Sequence, residues 1–207
     1  MVLEPAPPAE EKERMSFLVE LPILMLVVLV VAIIIKTFLV QAFFIPSGSM
    51  LPTLEIDDRV MVNKLSIRFG ELERGDVVVF DSPLAPNGDD DPALDRLLRT
   101  IQESLGIKTA VIPDDFIKRV IATPGDTIEI RSNQVYVNGT VTTEPYVEVG
   151  SNMADSPART LRDNEYFVMG DNRNNSYDSR RFGPITDELM IGKAFVIVWP
   201  SDRFMRL

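Results

Sequence analysis

Hydrophobic and polar positions divide the chain into three stretches with different periods. From Leu21 to Ile35 every residue is apolar, and Lys36, Thr37 and Gln41 are the only polar breaks before Ile45. As a helix, Leu21–Ile45 would reach about 37 Å, enough for a hydrocarbon core of about 30 Å, and helical geometry satisfies every backbone group internally. Lys36 lies near one end, where its stem can carry the ammonium to the headgroups. The pattern predicts a transmembrane anchor over residues 17–45. Residues 1–16, rich in Pro, Ala and Glu, read as a disordered tail. Val40-Gln41-Ala42 resembles a signal cleavage site, but the acidic leading tail and the length of the apolar run favour a retained anchor. Lys12 and Arg14 flank the run more closely than Arg59 and Lys64, which favours a cytoplasmic N-terminus.

After the anchor the period changes to two. Arg59–Leu65, Asp76–Phe80, Phe116–Ala122, Thr127–Arg131, Gln134–Val137, Tyr166–Met169 and Ala194–Trp199 read as strands, with turns at Pro124-Gly125 and Asn138-Gly139. Short strands with Gly and Pro punctuation predict a mainly β fold, an antiparallel sheet or open barrel over 46–207. One stretch departs from this. Leu94, Leu97, Leu98, Ile101 and Leu105 share a helical face, Asp91 suits the N-cap, and Gly106 suits the stop, so an amphipathic helix is expected over 92–105.

Composition narrows the chemistry. The chain has 207 residues, a formal net charge of −10, no histidine and no cysteine. The acidity argues against a nucleic-acid partner. Zinc and iron–sulfur sites lose their usual ligands, while carboxylate-bound Ca²⁺ or Mg²⁺ stays open. Thiol nucleophiles and imidazole bases are excluded, so a serine nucleophile must find a lysine or a carboxylate as its base.

Three segments then stand out. In Ile45-Pro46-Ser47-Gly48-Ser49-Met50 two hydroxyls flank a flexible glycine and can serve as nucleophile and oxyanion donor. In Phe116–Ile121 strand alternation points Lys118 the same way as Phe116 and Val120. That apolar company desolvates the ammonium and lowers its pKa; bringing it near 7 takes about 4 to 5 kcal/mol. Gly170–Arg180 is dense in hydrogen-bonding side chains and suits a network that orients a catalytic group. A calcium loop of the Asp-x-Asn-x-Asn kind starting at Asp171 is a rival reading, but Arg173 occupies its third position, a cation where a ligand belongs, and no glycine follows at the sixth.

Taken in order behind an anchor, these segments resemble the bacterial type I signal peptidases. Pro46–Leu54 looks like that family's nucleophile box, Arg74–Phe80 its strand box, Lys118–Asp126 its general-base box and Gly170–Arg180 its last box. The resemblance implies Ser49 as nucleophile, Lys118 as base, and Ser47 with the Ser49 amide as oxyanion donors. It implies that Ser176 hydrogen-bonds and orients the Lys118 amine, with Asp178, Arg180 and Asp171 supporting the loop. It implies shallow substrate pockets lined by Phe43, Ile45, Met50, Leu54, Phe116 and Ile117, which accept small residues at P1 and P3. It implies an inserted β lobe at about 127–165 and no metal or organic cofactor. The expected partners are precursor proteins with N-terminal signal peptides, the lipid bilayer of the cell membrane, and the secretion channel. The expected topology is single-pass with an extracytoplasmic catalytic domain. The expected helix over 92–105 falls where many members are shorter. Two other readings fit parts of the chain: a self-cleaving Ser–Lys hydrolase, and a non-enzymatic anchored β-module that binds a partner or Ca²⁺.

Overall fold

The computed structural model describes residues 17–70, 72–83 and 115–207, so the tail over 1–16 and the helix expected over 92–105 lie outside the described residues. The chain divides into one unit ending at Phe38 and a second over Leu39–Leu207.

The first unit contains helix α1, Phe17–Phe38, of 22 residues. Its side chains are described for residues 20–32, and Leu21 and Ile23–Val31 are each 46% to 67% exposed. Among the described residues no helix is long and apolar enough to cross a membrane. The helix also ends earlier than its sequence pattern suggests. The expected continuation to Ile45 is replaced by a strand, β1, Val40–Phe44, which pairs antiparallel with β2, Arg59–Asn63, from Val40 opposite Asn63 to Phe44 opposite Arg59. Along β1 Phe43 packs on the core while Ala42 and Phe44 face outward, so the segment is amphipathic with period two. A β-branched and aromatic segment that can bury one face and join a ladder has little reason to stay helical. Pro46 therefore lies just past a strand end.

The second unit is mainly β. After β2 come a short helix α2, Leu65–Phe69, then β3, Val77–Asp81, and β4, Asp115–Ala122. Next are β5, Thr127–Arg131, β6, Gln134–Val137, β7, Thr140–Val141, and β8, Ser156–Thr160. The chain closes with β9, Glu165–Met169, a turn of helix α3, Ser179–Phe182, then β10, Ile185–Thr186, β11, Met190–Trp199, and β12, Met205–Arg206. Eight strands form one antiparallel sheet in the order β1-β2-β11-β3-β4-β9-β10, with β12 on β11. The other four form a smaller sheet, β7-β6-β5-β8. Asn138 and Gly139 both take positive φ, 53° and 78°, and make the two-residue turn joining β6 to β7.

Alternation along β3 and β4 sets the core. Val77, Val79 and Ile117 face one side with Ile45, Met50 and Leu54, whereas Val78, Phe80 and Val120 face the other with Val168 and Ile185. A third cluster, including Ile121, Phe167 and Met169, joins the large sheet to Ile128, Ile130, Val135 and Val137 of the small one. Each fully buried aliphatic side chain contributes about 1.5–3 kcal/mol, so both faces of β4 are anchored firmly enough to hold a polar group at a fixed place between them.

Candidate active site

The turn that follows β1 is closed at its base by two backbone bonds. Ile45 N–H donates to the Asp58 carbonyl at 2.9 Å, and Asp57 N–H donates to the Ile45 carbonyl at 3.0 Å. Within it Gly48–Met50 makes one 3-10 turn, and Met50 and Leu54, both fully buried, fix the turn to the core. Ser49 rides on this turn, half-buried. Ser47 is extended, exposed and makes no capping bond with its side chain.

Lys118 meets this turn from the middle of β4. It is 3% exposed, opposite Val78 in the ladder and 5.5 Å from the Phe116 ring centre. Its Nζ donates to Ser49 Oγ at 2.8 Å and to the Ile117 carbonyl at 2.8 Å. Burial pulls the amine down from its usual 10.5 to about 8, against the opposing fields of Asp178 and Asp171. That depression corresponds to about 3 kcal/mol, somewhat less than a value near 7 requires.

The segment 170–180 packs onto the Ser49 turn from the other side. Gly170 has no room for a side chain: a Cβ there would overlap Ser176 and the Ser49 carbonyl oxygen. Asn172 N–H donates to the Ser49 carbonyl at 3.1 Å, and Asn172 Nδ2 donates to the Gly48 carbonyl at 3.0 Å. Asp178 is fully buried. It accepts from Gly170 N–H at 3.0 Å and takes both arms of Arg180 at 2.8 Å. Burial works against its charge, yet the Arg180 bonds and the Gly170 N–H hold its carboxyl below the usual carboxylate range.

Ser176 departs from expectation. Its Oγ is buried and makes no well-formed hydrogen bond among the described residues, lying instead where its dipole favours the Asp178 carboxylate, so the bond expected to the Lys118 amine is not made. The amine bonds instead to Ser49 and Ile117, and the carboxylate beside the loop is taken by Gly170 and Arg180.

Asp171 lies in the same loop but works through partners that sequence reasoning missed. It is fully buried and takes a fork from Arg119, Nε at 2.8 Å and Nη2 at 2.6 Å, together with the Thr53 hydroxyl at 2.5 Å. Arg119 also donates to the Gly75 carbonyl at 2.7 Å and stacks 4.0 Å from the Tyr146 ring centre. Arg173, 2% exposed, makes a second fork with Glu144 at 2.9 and 2.6 Å and reaches the Gly170 carbonyl at 3.1 Å. The available signal was two adjacent cations inside the apolar strand Phe116–Ala122. A second cation there needs its own carboxylate, although nothing local says which. Arg173, the residue that spoiled the calcium pattern, is thus an internal tie. Among the described residues no group of three or more His, Cys, Asp or Glu could hold a metal ion.

The six residues expected to line the substrate pockets separate. Ile45, Met50 and Leu54 are 0–1% exposed and present almost no surface, so they shape a wall only from behind. Ile117 shares their cluster, and Phe43 is partly buried against it. Phe116 sits on the opposite face of the sheet with Phe80 and Phe182.

Comparison with known proteins places the chain in a family. Residues 18–199 match the family described as signal peptidase, peptidase S26. A probable signal peptidase I-2 of Synechocystis sp. is 38% identical over 86% of this chain and 72% of its own. Signal peptidase I of Leptolyngbya laminosa is 36% identical, covering 86% of this chain and 78% of its own. Signal peptidase I of Mycobacterium tuberculosis is also 36% identical, covering 92% of this chain and 76% of its own.

Proposed function

The chain belongs to the signal peptidase family, peptidase S26, and on that premise we propose that it is a serine endopeptidase removing N-terminal signal peptides from secreted precursors through a Ser49–Lys118 dyad. One observation carries the reading: a buried amine, depressed toward neutrality, lies 2.8 Å from a serine hydroxyl. With the amine protonated, Lys118 donates. Once it loses its proton the contact reverses and Ser49 O–H donates to the free lone pair.

In the reaction Ser49 Oγ attacks the scissile carbonyl as its proton passes to Nζ. The oxyanion is met by the Ser49 amide and the Ser47 hydroxyl, each donor contributing about 3 to 4 kcal/mol in comparable sites. The lysine then hands its proton to the departing amine and the C–N bond breaks. Deprotonated again, Lys118 takes a proton from water, hydroxide attacks the acyl-enzyme, and the proton returns to Ser49 Oγ. The substrate lies extended, pairing through main-chain bonds, with small side chains at P1 and P3 against a shallow wall to which Phe43 and Ile117 contribute.

The anchor reading rests on the unbroken apolar run Leu21–Ile35 of the sequence and on the apolar side chains exposed along the described part of α1, a part that does not by itself span a membrane. With the N-terminus cytoplasmic, the catalytic unit stands outside the membrane that also holds the precursor's signal helix, which raises their effective concentration. The secretion channel is the partner expected to deliver that precursor.

A precursor with alanine at P1 and P3, incubated with the purified full chain, tests the assignment. Ser49→Ala abolishes its processing while leaving melting unchanged; processing by that variant at the wild-type rate overturns the proposal.

A further inference from the structure

The turn that carries Ser49 is held at its far end by a residue that none of the four sequence boxes contains. After β11, residues Ser201–Arg203 form a 3-10 turn, and Arg203 reaches back across the molecule. Its Nε and Nη2 donate to the Asp58 carboxylate at 3.0 Å each, Nη1 donates to Glu55 at 2.5 Å, and Nη2 also reaches the Thr53 carbonyl at 3.3 Å. Asp58 is 1% exposed, and besides this fork it accepts the Glu55 N–H at 2.8 Å. Its backbone carbonyl takes the Ile45 N–H that closes the turn. An acid so buried must have its cation, so the guanidinium fixes where the 53–58 segment lies.

Thr53 makes that constraint matter for chemistry. Its carbonyl is tied to Arg203, while its hydroxyl is tied to Asp171 of the 170–180 segment at 2.5 Å. Leu54 N–H donates to the Met50 carbonyl at 3.0 Å, so Ser49 and Thr53 sit on one hydrogen-bonded run whose apolar side is locked in the core. A displacement at Thr53 is therefore passed to Ser49. We infer that Arg203 is a positioning residue for peptide cleavage: by clamping Asp58, Glu55 and Thr53 it keeps Ser49 Oγ within hydrogen-bond reach of the Lys118 amine. The inference rests on the Ser49–Lys118 reading and adds to it a residue that touches neither substrate nor reacting atoms.

Loss of the clamp loosens the Ser49 turn that helps bury the amine. The charged groups facing Lys118 are Asp178 and Asp171, each held by its own arginine, Arg180 and Arg119. Replacing Arg203 leaves those pairs in place, so a change in the titration of Lys118 would report water reaching it. The test compares the wild-type full chain in detergent with Arg203→Gln and Arg203→Lys, measuring kcat and KM for one precursor from pH 6 to 10. Arg203→Gln is expected to lower kcat by about 10- to 100-fold at pH 8, with KM changed by less than about threefold. It is also expected to move the pH midpoint of kcat upward, and Arg203→Lys should restore part of both. A clamp needed only for folding lowers the rate evenly at every pH; an unmoved midpoint, an unchanged kcat, or a loss confined to KM each overturns the inference. If Arg203→Gln melts below the assay temperature, Asp58→Asn breaks the same pair from the other side and carries the same expectations. The two readings fail separately. A flat wild-type profile with processing by Lys118→Met removes the dyad, whereas a normal wild-type profile with an unmoved Arg203→Gln removes the clamp alone.

Discussion

Replacing Lys118 by methionine removes the group whose burial the proposed chemistry depends on, and the consequence can be read without any substrate. In the unfolded chain this lysine titrates near 10.5; in the folded protein it titrates near 8. Between those values the unfolded state holds more protons, so native stability rises with pH through that window. Below pH 8 both states are protonated and the full cost of the buried ammonium is present. At pH 7 that cost is about 3 kcal/mol, at pH 9 about 2 kcal/mol, and above pH 10.5 it vanishes. At 3% exposure, solvent screens little of it.

Methionine fills the same slot without charge, and forfeits two hydrogen bonds of about 1 kcal/mol each. The expected net result at pH 7 is a stabilisation of about 1 kcal/mol. The difference between pH values is the cleaner quantity, because the forfeited bonds and every other titrating group largely cancel from it. Urea unfolding of the full chain in one detergent, wild type against Lys118→Met, should show the advantage of the variant shrinking by about 1 kcal/mol from pH 7 to pH 9. An advantage that stays constant within about 0.3 kcal/mol would mean that Lys118 titrates as an ordinary surface lysine, and the basis for its role as a base would be gone.

The same titration sets the activity profile. The rate constant kcat/KM should rise about tenfold per pH unit below 8 and level above it, about 90-fold between pH 6 and pH 9, and a profile flat across that range counts against a tuned amine. Asp171→Asn leaves Arg119 buried with half its fork, so it should cost about 3 kcal/mol in urea unfolding; a cost below about 0.5 kcal/mol would show that the pair bears no burden.

The sequence revealed the parts of the molecule that follow a local rule. Strands β5 and β6 begin and end where their alternation does, and Lys118 lies against Phe116 as strand period two requires. Strand β1 was hidden because Val40–Phe44 is as apolar as the helix before it; only its partner, β2, decides its state. Strand β8, Ser156-Pro-Ala-Arg-Thr160, is mostly exposed and carries no apolar stripe, so it exists through pairing with β5 alone. The ties around the site were equally invisible. Arg119 and Asp171, Arg173 and Glu144, and Arg203 and Asp58 are each remote in sequence, and composition cannot match a buried cation to its acid. Ser176 shows the converse: its position was legible, but its bond was not, since a hydroxyl's partner depends on what its neighbours have already taken.

Two arginine forks, one remote in sequence and one local, also explain why the amine can be depressed where it stands. Asp171 and Asp178 both act on Lys118 in the direction that would keep it charged. Bare carboxylates buried beside an amine would form an ion pair with it, and an ion-paired lysine is a poor base at neutral pH. Here each carboxylate is already forked by an arginine, Arg119 on one and Arg180 on the other. Their charge is spent on guanidinium groups that cannot deprotonate. What remains at Nζ is chiefly the cost of dehydration, and that cost lowers the pKa. On the proposed mechanism the acidic residues of the 170–180 segment therefore serve Lys118 by being occupied elsewhere: they order the loop against Ser49 and leave the amine free to lose its proton.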